Sequence, residues 1–322
     1  MSNQNILEVS GLTKHFKAGR NQVVHAVDGV SFTLEKGKTL GLVGESGCGK
    51  SSCARTIIRI YDVTAGKILL DGTDITNMKQ KELKPLRKNM QMIFQDPYAS
   101  LNARMTVRDI IAEPLIAHGI VKNKEESNDL VYPMLERVGL TKEHAGRYAH
   151  EFSGGQRQRV GIARALVLQP QLVICDEPIS ALDVSIQAQV INLLKDYQEE
   201  KGLAYLFIAH DLSMVRYVSD DVGVMYLGQL VELSNADEIY RNPLHPYTKG
   251  LLGSIPVANP KLARQKEKSG IEGDIPSPVN PPKGCRFHTR CPYAKPECSE
   301  TVPEGKYVDG GHMVACHLYS RG

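Results

Sequence analysis

Gly44-Glu45-Ser46-Gly47-Cys48-Gly49-Lys50-Ser51-Ser52 contains the spacing G-x-x-x-x-G-K-S, which predicts a cradle for the phosphates of a nucleoside triphosphate. Its glycines let backbone N–H groups wrap an anion, and the helix N-terminus that follows favours negative charge. In such a cradle Lys50 reaches the β- and γ-phosphates, and the Ser51 hydroxyl joins a Mg2+ shell. A second stretch, Leu172-Val-Ile-Cys-Asp176-Glu177-Pro178, is an apolar run ending in two carboxylates. Asp176 is expected to hold Mg2+ through water, and Glu177 to polarise the attacking water as general base. Gln95, at the end of the run 90–94, offers an amide that can ligate the metal and orient that water. His210, after a last apolar run at 203–209, offers an imidazole to a γ-phosphate oxygen. Ser153-Gly154-Gly155-Gln156 builds another anion-binding helix start. One nucleotide does not need two cradles, so this one is expected to serve a nucleotide held by another subunit.

Placing these groups requires strands that end, and helices that begin, at the loops. Leu40, Leu42 and Val43 predict the strand before the phosphate loop, and Cys53, Ala54, Ile57 and Ile58 share one face of the helix after it. Residues 6–36 read as short strands, with Val30, Phe32 and Leu34 alternating with Ser31 and Thr33. Phe16 among them either stacks on an adenine or fills the core of that sheet. Residues 66–76 read as strand, turn, strand. From 100 to 150 the period becomes helical: Val107, Ile110, Ile111 and Leu115 share a face, as do Val131, Met134, Leu135 and Val138. Ile186, Val190, Leu193, Leu194 and Tyr197 mark the inward face of a further helix.

With 322 residues, 42% hydrophobic and 23% charged, the chain has the composition of a soluble globular protein: one large domain plus an appendage, or two small domains. A net charge of +3, from 39 basic and 36 acidic residues, argues for neither nucleic acid nor an anionic surface. No apolar run is long enough to span a bilayer, and Met-Ser-Asn-Gln-Asn does not begin a secretory signal, so a cytosolic location is expected.

The tail is different in kind. Residues 243–283 are proline-rich with little periodicity, and 261–268 read as a linker. Beyond them Cys285, Cys291, Cys298 and Cys316 are spaced x5, x6 and x17. Disulfides fit a cytosolic protein poorly. Zinc usually takes a closer pair, an iron–sulfur cluster tolerates wider spacing, and free thiols are a further alternative.

The loop at 44–51, Gln95, the 153–156 signature, Asp176 with Glu177, Ser180 to Asp183 and His210 stand in an order and spacing that resemble the ATP-binding subunit of ABC transporters. Gly44-Glu-Ser-Gly-Cys-Gly-Lys, Phe94-Gln-Asp-Pro-Tyr-Ala-Ser-Leu-Asn102 and Asn242-Pro-Leu-His-Pro-Tyr-Thr-Lys-Gly-Leu-Leu252 are similar to the dipeptide/oligopeptide importer ATPases, in particular the second, or F, type. The resemblance implies an α/β fold: a RecA-like P-loop NTPase core with an antiparallel β subdomain, an inserted helical subdomain at about 95–160 and a small irregular C-terminal module. It divides the chain into an ATPase domain at 1–242 and an extension at 243–322. It implies ATP and Mg2+ as ligands, and stacking of Phe16 on adenine, where many members have Tyr. It also implies a [4Fe–4S] cluster on the four cysteines, with Zn2+ as the alternative. The implied partners are a second, related ATPase in a head-to-tail pair, two transmembrane permease subunits and a periplasmic or lipid-anchored solute-binding protein. No nucleic acid is among them, and the implied location is the cytoplasmic face of the membrane. Phe152, Ala103 and Ser52 stand where Leu, Pro and Thr are commoner. Import of di- or oligopeptides is the expected function, with nickel import, or a non-transport ATPase acting on nucleic acid or the ribosome, as alternatives.

Overall fold

The computed structural model describes residues 4–19, 22–180, 182–255 and 271–319; the linker expected at 261–268 lies outside them. Strands run in chain order β1 (Asn5–Lys17), β2 (Val23–Glu35), β3 (Thr39–Val43), β4 (Ala65–Leu70), β5 (Thr73–Asp74), β6 (Met90–Ile93), β7 (Leu172–Asp176), β8 (Ala204–Ile208), β9 (Asp221–Tyr226), β10 (Gln229–Asn235), β11 (Lys306–Val308) and β12 (His312–Val314). The helices are α1 (Lys50–Ile57), α2 (Gln80–Arg87), α3 (Pro97–Ser100), α4 (Val107–Ala117), α5 (Asn128–Arg137), α6 (Gly154–Leu166), α7 (Val184–Lys201), α8 (Leu212–Val218), α9 (Ala236–Arg241), α10 (Pro246–Gly253) and α11 (Pro296–Glu300). Two compact units form from interleaved segments.

The first unit comprises Met1–Leu7, Leu34–Thr39 and Leu70–Ile208. β6, β7 and β8 pair in parallel, with Met92 opposite Ile174 and Cys175 opposite Phe207. Every residue of β7 and β8 is buried, as parallel strands covered on both faces require. Val107, Ile110, Ile111 and Leu115 on α4, and Val131, Met134 and Leu135 on α5, are buried as their helical period predicts. Pro97 and Thr106 mark where this helical stretch begins: Asp96 caps α3 through the Tyr98 and Ala99 N–H groups, and Thr106 caps α4 through the Asp109 N–H.

The second unit comprises Glu8–Thr33, Leu40–Leu69 and Ala209–Gly322. Its sheet runs β11-β12-β10-β9-β3, antiparallel except for the parallel pair β9 and β3, and β1 lies between β2 and β4. β1 and β2 each run 13 residues, longer than the short strands expected. Gly11 (φ +58°) and Gly29 (φ +73°) bend the backbone inside the strands instead of ending them. Their N–H groups bond to Ser31 Oγ and Thr13 Oγ1 at 2.8 and 3.2 Å.

A buried acid ties the tail to this sheet. Glu232 on β10 is fully buried and accepts hydrogen bonds from the Leu244 N–H (2.7 Å) and the His245 N–H (2.9 Å). Its Oε1 also lies 2.7 Å from His312 Nε2 on β12. The carboxylate therefore specifies both the approach to α10 and the strand that pairs with β10. Among the described residues no helix is long and apolar enough to cross a membrane.

Candidate nucleotide site

The phosphate loop lies in the second unit, between the wholly buried β3 and α1. Gly44 (φ +151°) and Gly49 (φ +105°) are obligatory, because a Cβ would sit 2.2 Å from the Met225 carbonyl and 2.0 Å from that of Ala26. Lys50 is 5% exposed, and its ammonium donates to the Gly44 carbonyl (2.7 Å) and the Glu45 carbonyl (3.1 Å). The lysine thus folds its charge over the ring of loop atoms, where an anion would compete for it. Cys53, Ala54, Ile57 and Ile58 are buried as expected and fix α1 behind the loop. Burial pushes the Cys48 thiol above its ordinary range, which makes it an apolar filler here and not a nucleophile. Ser46 and Gly47 form the exposed tip of the loop, and Ser51 and Ser52 open α1.

Asp176 closes β7 in the first unit and is fully buried. Glu177 follows with φ +48°, a conformation L-residues seldom take, and its N–H bonds to the Ile208 carbonyl at 2.9 Å. The left-handed turn takes the chain off the strand at that residue. Gln95 Nε2 donates to Glu177 Oε2 at 2.7 Å, a bond that uses the amide nitrogen and leaves the amide oxygen of Gln95 its acceptor capacity. A carboxylate so oriented can accept a proton from water, and an amide oxygen beside it can ligate a hard cation.

Ser153 caps α6 in the same unit. Its Oγ accepts the Gln156 N–H at 3.4 Å, and Gln156 Oε1 accepts the Ser153 N–H at 3.1 Å, with Gly154 and Gly155 in the first turn. The Ser153 hydroxyl proton is not used in that box and can donate outward. Phe152 is buried, so the larger side chain is accommodated by packing. Phe16 is only partly buried in the second unit, edge-on to Tyr61 at 5.1 Å with Lys14 Nζ 4.8 Å from its ring. That is a surface aromatic, not a core one. His210 comes two residues after the end of β8 and is exposed.

The four tail cysteines are intermediate in burial, and each sulfur takes a backbone N–H. Cys285, Cys291 and Cys316 accept from the residue two places on, Phe287, Tyr293 and Leu318, and Cys298 accepts from Lys295. Burial, with a smaller contribution from the neighbouring thiols, pushes the Cys285 thiol up to about 11. Each of the six pairs among the four interacts electrostatically in this way. Three thiols that burial holds protonated (Cys285, Cys291 and Cys316), with N–H groups aimed at all four sulfurs, fit a bound cationic centre. The described ligand atoms that gather within 4.8 Å are those of His15, His25 and Asp28, with no three of the four sulfurs that close.

Two contacts to the phosphate loop come from residues to which the sequence reading gave no role. Arg290 forms a two-pronged ion pair with Glu45, and the buried Tyr247 hydroxyl accepts the Glu45 N–H at 2.8 Å. The motif Asn242 to Leu252 carried the second signal, since its tyrosine is the residue that reaches the loop; nothing local marked the first.

A family profile described as ABC transporter matches residues 27–180, and one described as oligopeptide/dipeptide transporter, C-terminal region, matches 231–298. The chain is 58% identical to the oligopeptide transport ATP-binding protein AppF of Bacillus subtilis, covering 98% of each chain. It is 53% identical to OppF of Salmonella typhimurium, covering 97% of this chain and 95% of the relative. Among solved structures it is similar to a dimeric post-hydrolysis ATP-binding cassette bound to ADP and Pi (TM-score 0.67, 26% identity, 71% of this chain and 98% of that one). It is also similar to cbiO1 from Clostridium perfringens (TM-score 0.66, 26% identity, 82% and 99%). The RecA-like cassette expected from the motifs is therefore the fold. With such similarity extending through both the loop and the cysteine-bearing tail, the chain belongs to the ATP-binding proteins of oligopeptide ABC transporters and is an ATPase of that class.

Proposed function

We propose that this chain hydrolyses ATP to energise import of di- or oligopeptides, working at the cytoplasmic face of the membrane. The observation that carries the catalytic half is the Gln95–Glu177 hydrogen bond at the left-handed end of β7. It aims one carboxylate outward as general base while Asp176 stays buried behind it. Lys50, Ser51 and the loop N–H groups of 44–49 hold the phosphates, Phe16 stacks on adenine, and His210 bonds a γ-phosphate oxygen. Bound Mg2+ would neutralise the phosphate charge, with Ser51, Gln95 and Asp176 as its ligands. Ser153 to Gln156 present their cradle to the nucleotide of a second, related ATPase in a head-to-tail pair.

The peptide half rests on the relatives named for oligopeptide transport, and the nickel and nucleic-acid alternatives gain no comparable support. We assign 1–242 to the ATPase domain, with helices at about 95–160 contacting two permease subunits, and 243–322 to an extension. Cys285, Cys291, Cys298 and Cys316 fit a [4Fe–4S] cluster, which would supply a structural clamp for a segment poor in regular elements. A tagged chain purified in detergent from native membranes tests the assembly. Two permeases, a second ATPase and a peptide-binding protein are expected to co-purify. Recovery with ribosomes or DNA and no permease would contradict it.

A further inference from the structure

The phosphate loop contains a carboxylate, Glu45, where its ligand is a polyanion. An unneutralised charge there opposes the phosphates that Lys50 attracts. Glu45 is not left so. Its Oε2 and Oε1 meet Arg290 Nη1 and Nη2 at 2.8 and 3.1 Å, a fork-to-fork ion pair between side chains 23% and 4% exposed. A further guanidinium donor, Nε, goes to the Glu272 carbonyl at 3.3 Å, and Nη1 also lies 3.4 Å from the Tyr226 hydroxyl. The Glu45 backbone is held as well. Its N–H donates to Tyr247, and its carbonyl accepts Lys50 Nζ and the Cys48 N–H. The side chain of this one loop residue is thus held by Arg290 and its N–H by Tyr247, both from the tail, while its carbonyl is held within the loop.

We propose that Arg290 is a positioning residue for nucleotide binding: it neutralises Glu45 and locks the phosphate loop to the cysteine-bearing tail. The inference rests on the reading of 44–51 as the ATP site and adds to it a residue 245 positions away. Arg290 directly precedes Cys291, so whatever orders the four sulfurs also fixes the origin of this side chain. The tail is then part of the nucleotide site and not an appendage to it.

Removing the Arg290 charge provides the test. In Arg290→Gln the Glu45 charge is released beside the phosphates, and the dissociation constant for Mg–ATP of the full-length chain is expected to rise about tenfold. Arg290→Lys keeps the charge without the fork and falls between. Adding Glu45→Gln to Arg290→Gln removes the released charge and brings affinity back toward wild type, a recovery that a purely structural arginine would not produce. Iron content of Arg290→Gln stays at the wild-type level, which separates loop positioning from collapse of the tail. Affinity of Arg290→Gln within about twofold of wild type, no recovery in the double variant, or loss of iron would each overturn the proposal. Lys50→Ala is the control. If it abolishes ATP binding while Arg290→Gln is silent, this inference alone falls; if ATP binding survives Lys50→Ala, the loop reading falls and this inference with it.

Discussion

Gln95 and Glu177, 82 residues apart in sequence, meet through a 2.7 Å hydrogen bond from the Gln95 amide to the Glu177 carboxylate. The contact orients the proposed base by a neutral donor, leaving its charge available for water. Glu177→Gln is expected to preserve ATP binding and lower turnover by about 10²- to 10⁴-fold, the range of a lost general base. Single-turnover hydrolysis and equilibrium ATP binding measured together decide it; retained turnover would remove Glu177 from the role.

The thiol set makes a compositional prediction. After anaerobic purification the wild-type chain is expected to contain iron and acid-labile sulfide, and Cys291→Ser to lose both. Iron unchanged in Cys291→Ser, or zinc in place of iron in the wild type, would contradict the cluster.

His245 gives the fold an acid limit. Burial holds its imidazole down at about 4, against 6.5 for the unperturbed group. Between those values the unfolded chain binds a proton that the folded chain refuses, so stability falls as pH drops from about 6.5 towards 4, by up to about 3 kcal/mol. His245 Nδ1 accepts the Tyr247 N–H at 3.0 Å, a cap that Asn can supply. Melting temperatures compared at roughly pH 7.5 and 5 should show a smaller acid drop for His245→Asn than for wild type. An equal drop would assign the sensitivity to other groups.

Glu232→Ala would strand two buried N–H groups and His312. The expected cost is about 3–5 kcal/mol, expressed as early hydrogen exchange in β12, which pairs with β10 around this residue. Unchanged protection of His312 to Val314 would show that the strand pairing holds without the acid.

The loops of the candidate site were legible because each is local: a loop and the strand or helix that positions it lie within a dozen residues. The same is true of α4 and α5, whose apolar period alone placed Ile110 and Leu135 inside. Long-range polar contacts were not legible. Glu232 is one charged residue inside an apolar run, and its partners lie 12, 13 and 80 residues away. Arg290 reads as an ordinary tail cation until folding brings it to Glu45. Strand length was misread for a local reason, since Gly11 and Gly29 kink β1 and β2 without ending them.

The central claim is that ATP turnover by this chain drives peptide uptake. The most direct measurement is accumulation of a labelled oligopeptide in proteoliposomes containing the permeases, the second ATPase and the peptide-binding protein that co-purify. ATP-dependent accumulation with the wild-type chain, and none with Glu177→Gln, is the predicted result. Accumulation of nickel without peptide, or peptide uptake indifferent to Glu177→Gln, would contradict it.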